Sequence, residues 1–193
     1  MTVVKLAKRP ATYEDLLKVP DNLVAEIIEG ELYTSPGPQS PHARASSILG
    51  GRIISSFDDG GGNGPGGWWI LDEPELHLGP DVLVPDIAGW RRERMRVLPD
   101  TPAFDLAPDW VCEVLSPSTG RLDRMLKLPS YARAGVAYAW LVEPLQRFID
   151  AFRLVNGQWA LLGTYGDDIA RIEPFDALEI PLATLWMPDA PTA

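Results

Sequence analysis

Three carboxylates in this sequence lie inside apolar segments, where acidic side chains are uncommon. Each segment has the composition of a β-strand: Glu26 lies in residues 23–28, Asp86 in 82–88 and Glu113 in 110–115. Burying an ionised carboxylate without a partner costs several kcal/mol, so such acids are usually paired or bind a metal. One divalent ion shared by converging acids would account for all of them. Asp86, Glu113 and Glu26 are therefore candidate metal ligands. The alternative is that Asp86 and Glu113 are strand acids held by arginine or backbone N–H groups, and that Glu26 orients a helix or pairs with an arginine.

The ligand chemistry indicates which metal this would be. Carboxylate oxygens suit Mg²⁺ or Mn²⁺ better than Zn²⁺. Magnesium commonly takes one or two protein carboxylates and keeps several waters, one of which can become a nucleophile. A nearby lysine can orient that water or stabilise charge on a phosphate. Lys127 is the best candidate, because it lies 14 residues after Glu113 on the helix predicted to follow that strand, with Tyr131 one turn further on.

The predicted strands place two of the acids close together. Side chains alternate along a strand, so Glu113 shares one face of the predicted strand 109–115 with Val111. Asp86 lies on one face of a single predicted strand over 82–90. Neighbouring strands are roughly 5 Å apart, so acids near the ends of two such strands can bracket one ion.

The remaining pattern predicts an α/β fold with a central mixed β-sheet flanked by helices. Helices are predicted over 12–20, 42–57 and 121–134, and strands over 23–29, 31–35, 68–71, 75–78, 82–90, 109–115, 137–143, 147–155 and 158–164. Glu29-Gly30 and Asn156-Gly157 predict hairpin turns. Pro129 either kinks the last helix or begins a second helical piece. The glycine-rich segment 58–67 lacks the ending of a phosphate-binding loop, so we expect a flexible surface connection.

The composition limits the class of protein. The 193 residues fit one domain, and a single cysteine, Cys112, excludes an internal disulfide. The apolar pattern contains neither a secretory signal nor a membrane-spanning run, so the cytoplasm is the expected location. The net charge of −10 argues against a general nucleic-acid binder, which usually has a basic surface.

Basic residues are distributed unevenly. Residues 91–133 carry eight lysines and arginines against six acids, whereas the rest of the chain carries nine against twenty-one. We expect the eight to gather around the candidate site; the alternative is that they form solvated faces that balance an acidic protein. They are Arg91, Arg92, Arg94, Arg96, Arg121, Arg124, Lys127 and Arg133.

Several ordered motifs add a family resemblance. They are AEIIEGEL at 25–32, PDI at 85–87, CEVLSPST at 112–119, DR at 123–124 ahead of Lys127, YA at 131–132, GV at 135–136 and WLVEP at 140–144. Together, over about residues 12–180, they resemble the Uma family of putative restriction endonucleases, a branch of the PD-(D/E)XK nuclease superfamily. The resemblance implies a restriction-endonuclease-like fold, formed by the chain 1–193 as a single domain. It also implies metal-dependent cleavage of phosphodiester bonds in DNA.

The resemblance also implies a role for each site residue. Glu26 corresponds to the helper acid, Asp86 to the aspartate of the Pro-Asp pair and Glu113 to the (D/E) position. The lysine usually found two residues after that position is replaced by Leu115. The resemblance suggests that Lys127 takes its place in space. We therefore expect Glu26, Asp86, Glu113 and Lys127 to be catalytic, with Mg²⁺ or Mn²⁺ as the cofactor and DNA as the partner.

Other hypotheses stay open. A non-catalytic binding or assembly module would keep the same fold, and the net charge favours it mildly; a metal-dependent hydrolase of small nucleotides would use the same acids. A homodimer through the hairpin 147–164 and the C-terminal tail is a further hypothesis. Several other polar or aromatic residues are expected to have structural roles, and for His77 no partner is predicted. For His42, which follows the proline-rich loop and starts a helix, the alternative is a position at the border of the cleft. The structural set comprises His42, Tyr131, Ser116, Ser118, Thr119, Trp68 and Trp69.

Overall fold

Two β-sheets and a few helices form the part of the chain that the computed structural model describes, residues 9–58 and 64–188. The strands are β1 Leu23–Ile28, β2 Glu31–Pro36, β3 Trp68–Asp72, β4 Glu75–Leu78, β5 Asp81–Leu83, β6 Ile87–Arg91, β7 Ala103–Phe104, β8 Trp110–Val114, β9 Tyr138–Glu143, β10 Phe148–Val155, β11 Gln158–Tyr165, β12 Ile169–Ala170 and β13 Ile180–Pro181. Positions 59–63, the middle of the predicted glycine-rich connection, lie outside the described residues.

The strand order confirms the predicted α/β class with mixed sheets. The first sheet has the order β2-β1-β5-β4-β7 and the second has the order β11-β10-β9-β8-β6-β3, while β12 and β13 pair separately. β8 and β9 run parallel, as do β4 and β7, and the other neighbours within these two sheets run antiparallel. The helical segments are α1 Tyr13–Leu16, α2 Ser40–Ile53, a π-helical turn Ile54–Asp58, α3 Gly120–Leu122, a π-helical turn Asp123–Lys127, α4 Leu128–Arg133 and a 3₁₀ turn Leu182–Thr184.

The second sheet is covered on both faces, and β8 shows how. Its residues Trp110, Cys112 and Val114 pack with α2 and the C-terminal segment, whereas Val111 packs with the first sheet and α4. This is the alternation that the sequence predicts for a strand. Glu113 therefore lies on the inner side, between the two sheets, where its carboxylate meets groups from other elements.

The prediction of one strand over 82–90 is wrong. The chain pairs in the first sheet as β5, leaves it at Val84-Pro85-Asp86 and enters the second sheet as β6. Pro85 has no N–H to donate to a sheet ladder, so the strand cannot continue through it. Asp86 consequently stands just ahead of β6 instead of inside a strand. The antiparallel register of β6 with β8, Ile87 opposite Cys112, places Asp86 opposite Glu113 when it is extended by one residue.

The helix that follows β8 is continuous but irregular. The N–H of Leu128 donates to the carbonyl of Asp123, five residues back, which marks the π-helical turn. Pro129 then lies in the first turn of α4, as one of the two sequence alternatives predicts. The wider turn accommodates a residue that would clash with the preceding turn of a regular α-helix.

The two predicted hairpin turns are confirmed. Glu29 and Gly30 have φ of 52° and 78°, and Asn156 and Gly157 have φ of 51° and 77°. Paired positive φ values are the signature of the tight turns whose twist matches that of flanking strands. Within the described ranges, no helix is long and apolar enough to cross a membrane.

Candidate active site

A cleft of about 180 Å³ opens where β1, the segment between β5 and β6, the end of β8 and the following helix meet. All four predicted site residues line it. The full lining comprises Val24, Glu26, Ser35, Pro36, Gly37, Pro38, Gln39, His42, Glu73, Val84, Asp86, Glu113, Ser116, Pro117, Ser118, Thr119, Asp123 and Lys127. The acids that are far apart in the sequence are thus brought together by the fold.

Lys127 is the centre of the cluster. Its Nζ lies 2.9 Å from Glu26 Oε1 and 3.0 Å from both carboxylate oxygens of Glu113. It also donates to the carbonyl oxygen of Val84 at 2.9 Å, and Asp123 Oδ1 lies 3.9 Å away. The Lys127 side chain is only 4% exposed. A buried ammonium with this many acceptors is held firmly in one position.

Glu113 is held by a second donor as well. The phenol of Tyr131 donates to Glu113 Oε1 at 2.5 Å, one helical turn after Lys127. Burial raises the pKa of the Tyr131 hydroxyl well above its ordinary value, and the charge of Glu113 adds to this effect. The hydroxyl therefore keeps its proton and remains a donor to the carboxylate.

Glu26 and Lys127 together satisfy the backbone where the chain passes between the sheets. The N–H of Val84 donates to Glu26 Oε1 at 2.8 Å, and the carbonyl of Val84 accepts from Lys127. Residue 84 belongs to neither strand ladder, so these polar groups need side-chain partners. The two site residues consequently also support the fold.

Asp86 is held at both of its oxygens. Its Oδ2 accepts the N–H of Val114 at 2.6 Å, and its Oδ1 lies 3.0 Å from Nε2 of His42. Burial lowers the pKa of His42, but the hydrogen bond to Asp86 and the charges of Asp86, Asp123 and Glu73 outweigh it, so the pKa is raised.

Acids outnumber cations in this cleft. Glu26, Glu113 and Asp123 lie within 4 Å of the Lys127 ammonium, and Asp86 lines the same cleft. Burial raises the pKa of Glu113 well above its ordinary value despite the opposite effect of Lys127, and the neighbouring acids raise it further. Burial likewise raises the pKa of Lys127's partner Asp123 to about 6. One ammonium does not neutralise the cluster, and a further cation would relieve the excess negative charge.

The donor chemistry of the cleft fits a hard divalent cation. Asp86, just ahead of β6, and Glu113, on the neighbouring β8, offer carboxylate oxygens at opposing positions, and acidic side chains outnumber the lysine in the cleft. Among residues 9–58 and 64–188, no three histidine, cysteine or acidic side chains are arranged as a ready-made metal cage. Magnesium does not require such a cage, since it commonly uses one or two carboxylates and keeps its waters.

Comparison with known proteins identifies the family and the fold. The sequence profile of the Uma2 family, described as "Putative restriction endonuclease", matches residues 10–183. The chain belongs to the Uma2 family. No protein with a curated description matches the sequence. A solved structure described as a putative nuclease belonging to DUF820, from Anabaena variabilis, is similar to this chain with a TM-score of 0.73 and 22% identity. The similarity covers 92% of this chain and 98% of that one, and shows a shared fold.

In this Uma2 protein the basic residues do not gather around the site. Of the eight between 91 and 133, only Lys127 is among the residues that line the cleft. The arginines pair elsewhere: Arg92 with Asp58, Arg94 with Asp109, Arg124 with Asp150, and Arg133 with Asp81 and Glu29. The expectation of a basic site is wrong, and the alternative of charge-balancing surface groups describes these four arginines.

Other local expectations can be compared with the structure. His77 does have a partner, because its Nε2 lies 2.7 Å from Glu75 Oε1. Trp68 is buried, and the guanidinium of Arg91 lies 4.5 Å from its ring centre, as expected for a packing role. In the turn after β8, the hydroxyl of Ser116 is hydrogen-bonded to the hydroxyls of Ser118 and Thr119.

Three side chains contact the predicted site residues without having been predicted as part of the site: His42 at Asp86, Asp123 at Lys127 and Tyr131 at Glu113. Asp123, Lys127 and Tyr131 follow at steps of four, which places them on one side of a helix. That spacing could have identified Asp123 in advance. His42 offers no such signal, since its contact with Asp86 spans 44 positions of the chain.

Asp123 gives a stability prediction. Its pKa in the folded chain, about 6, is above its ordinary value of 3.8, so its ionisation destabilises the fold. The resulting loss of folding stability begins as the pH rises above 3.8, the ordinary pKa, and is complete above about 6, the pKa in the folded chain. Asp123→Asn removes it, so we expect the metal-free variant to be more stable than wild type by roughly 3 kcal/mol at neutral pH, at roughly 1.4 kcal/mol per pKa unit. Below about pH 4 we expect no difference.

Urea unfolding at a series of pH values measures this effect. The matched control is Asp176→Asn, which neutralises an exposed acid outside the cleft and should change stability by less than about 0.5 kcal/mol. A gain in Asp123→Asn that did not depend on pH would contradict the assignment to ionisation.

Proposed function

We propose that this Uma2 protein is an endonuclease that hydrolyses phosphodiester bonds of DNA with Mg²⁺ or Mn²⁺. The observation that carries the proposal is the cleft in which Asp86, Glu113 and Lys127 come together with an excess of acids. Such a set can hold a hard cation and present a fixed ammonium beside it, which is the combination that phosphodiester hydrolysis needs. The family and the fold of the solved relative support the same class of activity.

Asp86 and Glu113 would hold the cation, and Glu26 is the third predicted ligand. When bound, the ion would polarise the scissile phosphate and make water more acidic. Tyr131 and Lys127 keep the Glu113 carboxylate in one orientation. Lys127, whose charge is stabilised by the surrounding acids despite the opposing effect of burial, would donate hydrogen bonds to the developing negative charge.

The size of the cleft favours a polymer over a small nucleotide. Its volume of about 180 Å³ is below the roughly 300–1,000 Å³ of pockets that enclose small molecules. A polymer can lie across the surface and place one phosphate in such a cleft. The net charge of −10 still favours a non-catalytic binding module to some degree, because it weakens attraction to DNA.

Cleavage of supercoiled plasmid by the full chain, at low salt and with Mg²⁺ or Mn²⁺, tests the proposal. We expect nicked or linear products that disappear with EDTA and in Asp86→Asn. Cleavage that survives Asp86→Asn would contradict the site. Turnover of nucleotides without plasmid cleavage would select the small-phosphate alternative. Neither DNA binding nor turnover, together with a stable co-purifying partner, would select the non-catalytic module.

Three finer expectations belong to this proposal. The chain would act as one restriction-endonuclease-like domain over 1–193, and it would work in the cytoplasm. A homodimer would place two clefts on one DNA, which suits the cutting of two strands. Size-exclusion chromatography with light scattering tests the dimer.

A further inference from the structure

We propose that His42 is a positioning residue that fixes the carboxylate of Asp86 for the divalent cation. The inference rests on the proposed function in so far as Asp86 is taken as a ligand of that cation. His42 belongs to none of the predicted catalytic or metal-binding residues, and the contact that carries the inference is Nε2 of His42 at 3.0 Å from Asp86 Oδ1.

Helix α2 places His42 beside Asp86. His42 lies in the first turn of α2, and the buried residues Ala45, Leu49 and Ile53 follow it at steps of three and four. These residues share one face of the helix, which packs against the second sheet. The same packing that fixes α2 therefore fixes the base of the His42 side chain, which is 13% exposed.

Asp86 lies in the segment between β5 and β6, and contacts to its carboxylate oxygens must fix the orientation of its side chain. It follows Pro85, ahead of β6, and the carbonyl of Asp86 accepts the N–H of Glu73 at 3.1 Å. That bond fixes the chain but leaves the carboxylate free to rotate. The two contacts on its oxygens, from Val114 N–H and His42, restrain this rotation from opposite elements.

The contacts of the two ring nitrogens of His42 identify Asp86 as the polar partner of the ring. Nδ1 is buried and has no hydrogen-bond partner within the described part of the chain. The contact with Asp86 is thus the polar interaction that holds the ring. The packing of α2 fixes one end of the His42 side chain, and the Asp86 carboxylate contacts its ring. The ring can therefore restrain that carboxylate.

A restrained carboxylate binds a cation more tightly than one that must first be ordered. Removing a hydrogen-bond partner of a metal-binding carboxylate typically costs roughly 10–100-fold in metal affinity or activity. We therefore expect the loss of His42 to weaken the cation site by a factor in this range. Glutamine can replace the imidazole as a donor at the distance of Nε2, whereas leucine fills the space without donating.

The experiment is a calorimetric titration of the full chain with Mn²⁺ alone, without DNA. The site is defined as the Mn²⁺ that wild type binds and Asp86→Asn does not. We expect His42→Leu to raise the Kd of that site by about 10–100-fold and His42→Gln to stay within about threefold of wild type. The matched control is His77→Leu, which removes the other histidine–carboxylate contact, at Glu75, away from the cleft, and should leave the Kd unchanged.

Several outcomes would overturn the proposal. One is a folded His42→Leu variant whose Kd for Mn²⁺ equals that of wild type. Another is an equal increase of this Kd when leucine or glutamine replaces His42, or when His77→Leu is compared with His42→Leu. The last is a wild type without a Mn²⁺ site that depends on Asp86. If His42→Leu does not fold, asparagine and glutamine at position 42 are compared. The shorter amide cannot reach Oδ1, so equal affinities of these two variants would also overturn the proposal.

The titration separates this inference from the nuclease proposal. A wild type that binds Mn²⁺ through Asp86 and yet leaves plasmid intact contradicts the proposed function. In that case the affinities of the His42 variants still decide whether His42 positions Asp86.

Discussion

Glu113→Gln is expected to lower metal-dependent cleavage of plasmid by roughly 10³-fold or more while the chain stays folded. A carboxylate that binds a catalytic cation contributes several kcal/mol of transition-state stabilisation, and each 1.4 kcal/mol or so is a factor of ten in rate. Glutamine has the same shape but lacks the negative charge that the cation requires. The rate of nicking under single-turnover conditions measures the effect.

The fold should tolerate this change for a specific reason. The amide oxygen of glutamine can still accept from the Tyr131 hydroxyl and from Lys127, which in wild type both lie close to Glu113 Oε1, although the NH2 group that replaces Oε2 cannot accept the second contact of Lys127. Lys127 also keeps Glu26 and the Val84 carbonyl as partners. Burial disfavours the charged form of Glu113, so neutralising it removes a cost. Thermal unfolding close to that of wild type would show that the lost activity is chemical.

The control for Glu113→Gln is another buried acid outside the cleft. Asp109 accepts the N–H of Arg91 at 2.9 Å and pairs with Arg94, and it is not among the residues that line the cleft. Asp109→Asn should therefore keep the cleavage rate while changing stability. Equal activity of Glu113→Gln and wild type would contradict the role of Glu113, and equal loss in both variants would indicate a general effect on the fold.

Local patterns predicted the parts of the fold that local forces determine. The turns at Glu29-Gly30 and Asn156-Gly157 follow from residues that tolerate positive φ. The inner position of Glu113 follows from the alternation of side chains along β8. The break at Pro85 was missed because apolar residues lie on both sides of it. Whether the residues on each side of Pro85 join the first or the second sheet depends on strands that are distant in the sequence. A short stretch of sequence does not contain this information.

The site divides in the same way. Ordered motifs named Asp86, Glu113 and Lys127, and the fold brings these residues to one cleft. The contact of His42 with Asp86 joins a helix to the segment between two sheets, and nothing in the spacing announces it. The number of basic residues over 91–133 did not predict where they lie, because a count gives no information on the direction in which each arginine side chain extends. Four of those arginines extend toward acids outside the cleft.

The buried lysine gives the largest expected change in stability. Lys127→Met keeps an unbranched apolar side chain about as long as the lysine stem but removes the ammonium between Glu26 and Glu113. Breaking a buried ion pair by removing one partner typically costs about 3–5 kcal/mol, because the remaining charges stay buried and unpaired. The Val84 carbonyl also loses its donor. We therefore expect urea unfolding at neutral pH to show a loss of this size.

The loss should become smaller at acid pH and in a charge-matched double variant. Without Lys127, which lowers both values in wild type, the pKa values of Glu113 and Asp123 rise further, so these two acids take up protons as the pH falls and part of the unpaired charge disappears. Glu113→Gln combined with Lys127→Met removes part of the same charge in advance. The two changes should therefore be less than additive, with a coupling of up to about 3 kcal/mol. A Lys127→Met variant as stable as wild type at neutral pH, or strict additivity in the double variant, would contradict this electrostatic picture. Agreement would show that the ammonium of Lys127 holds the buried carboxylates of Glu26 and Glu113 together.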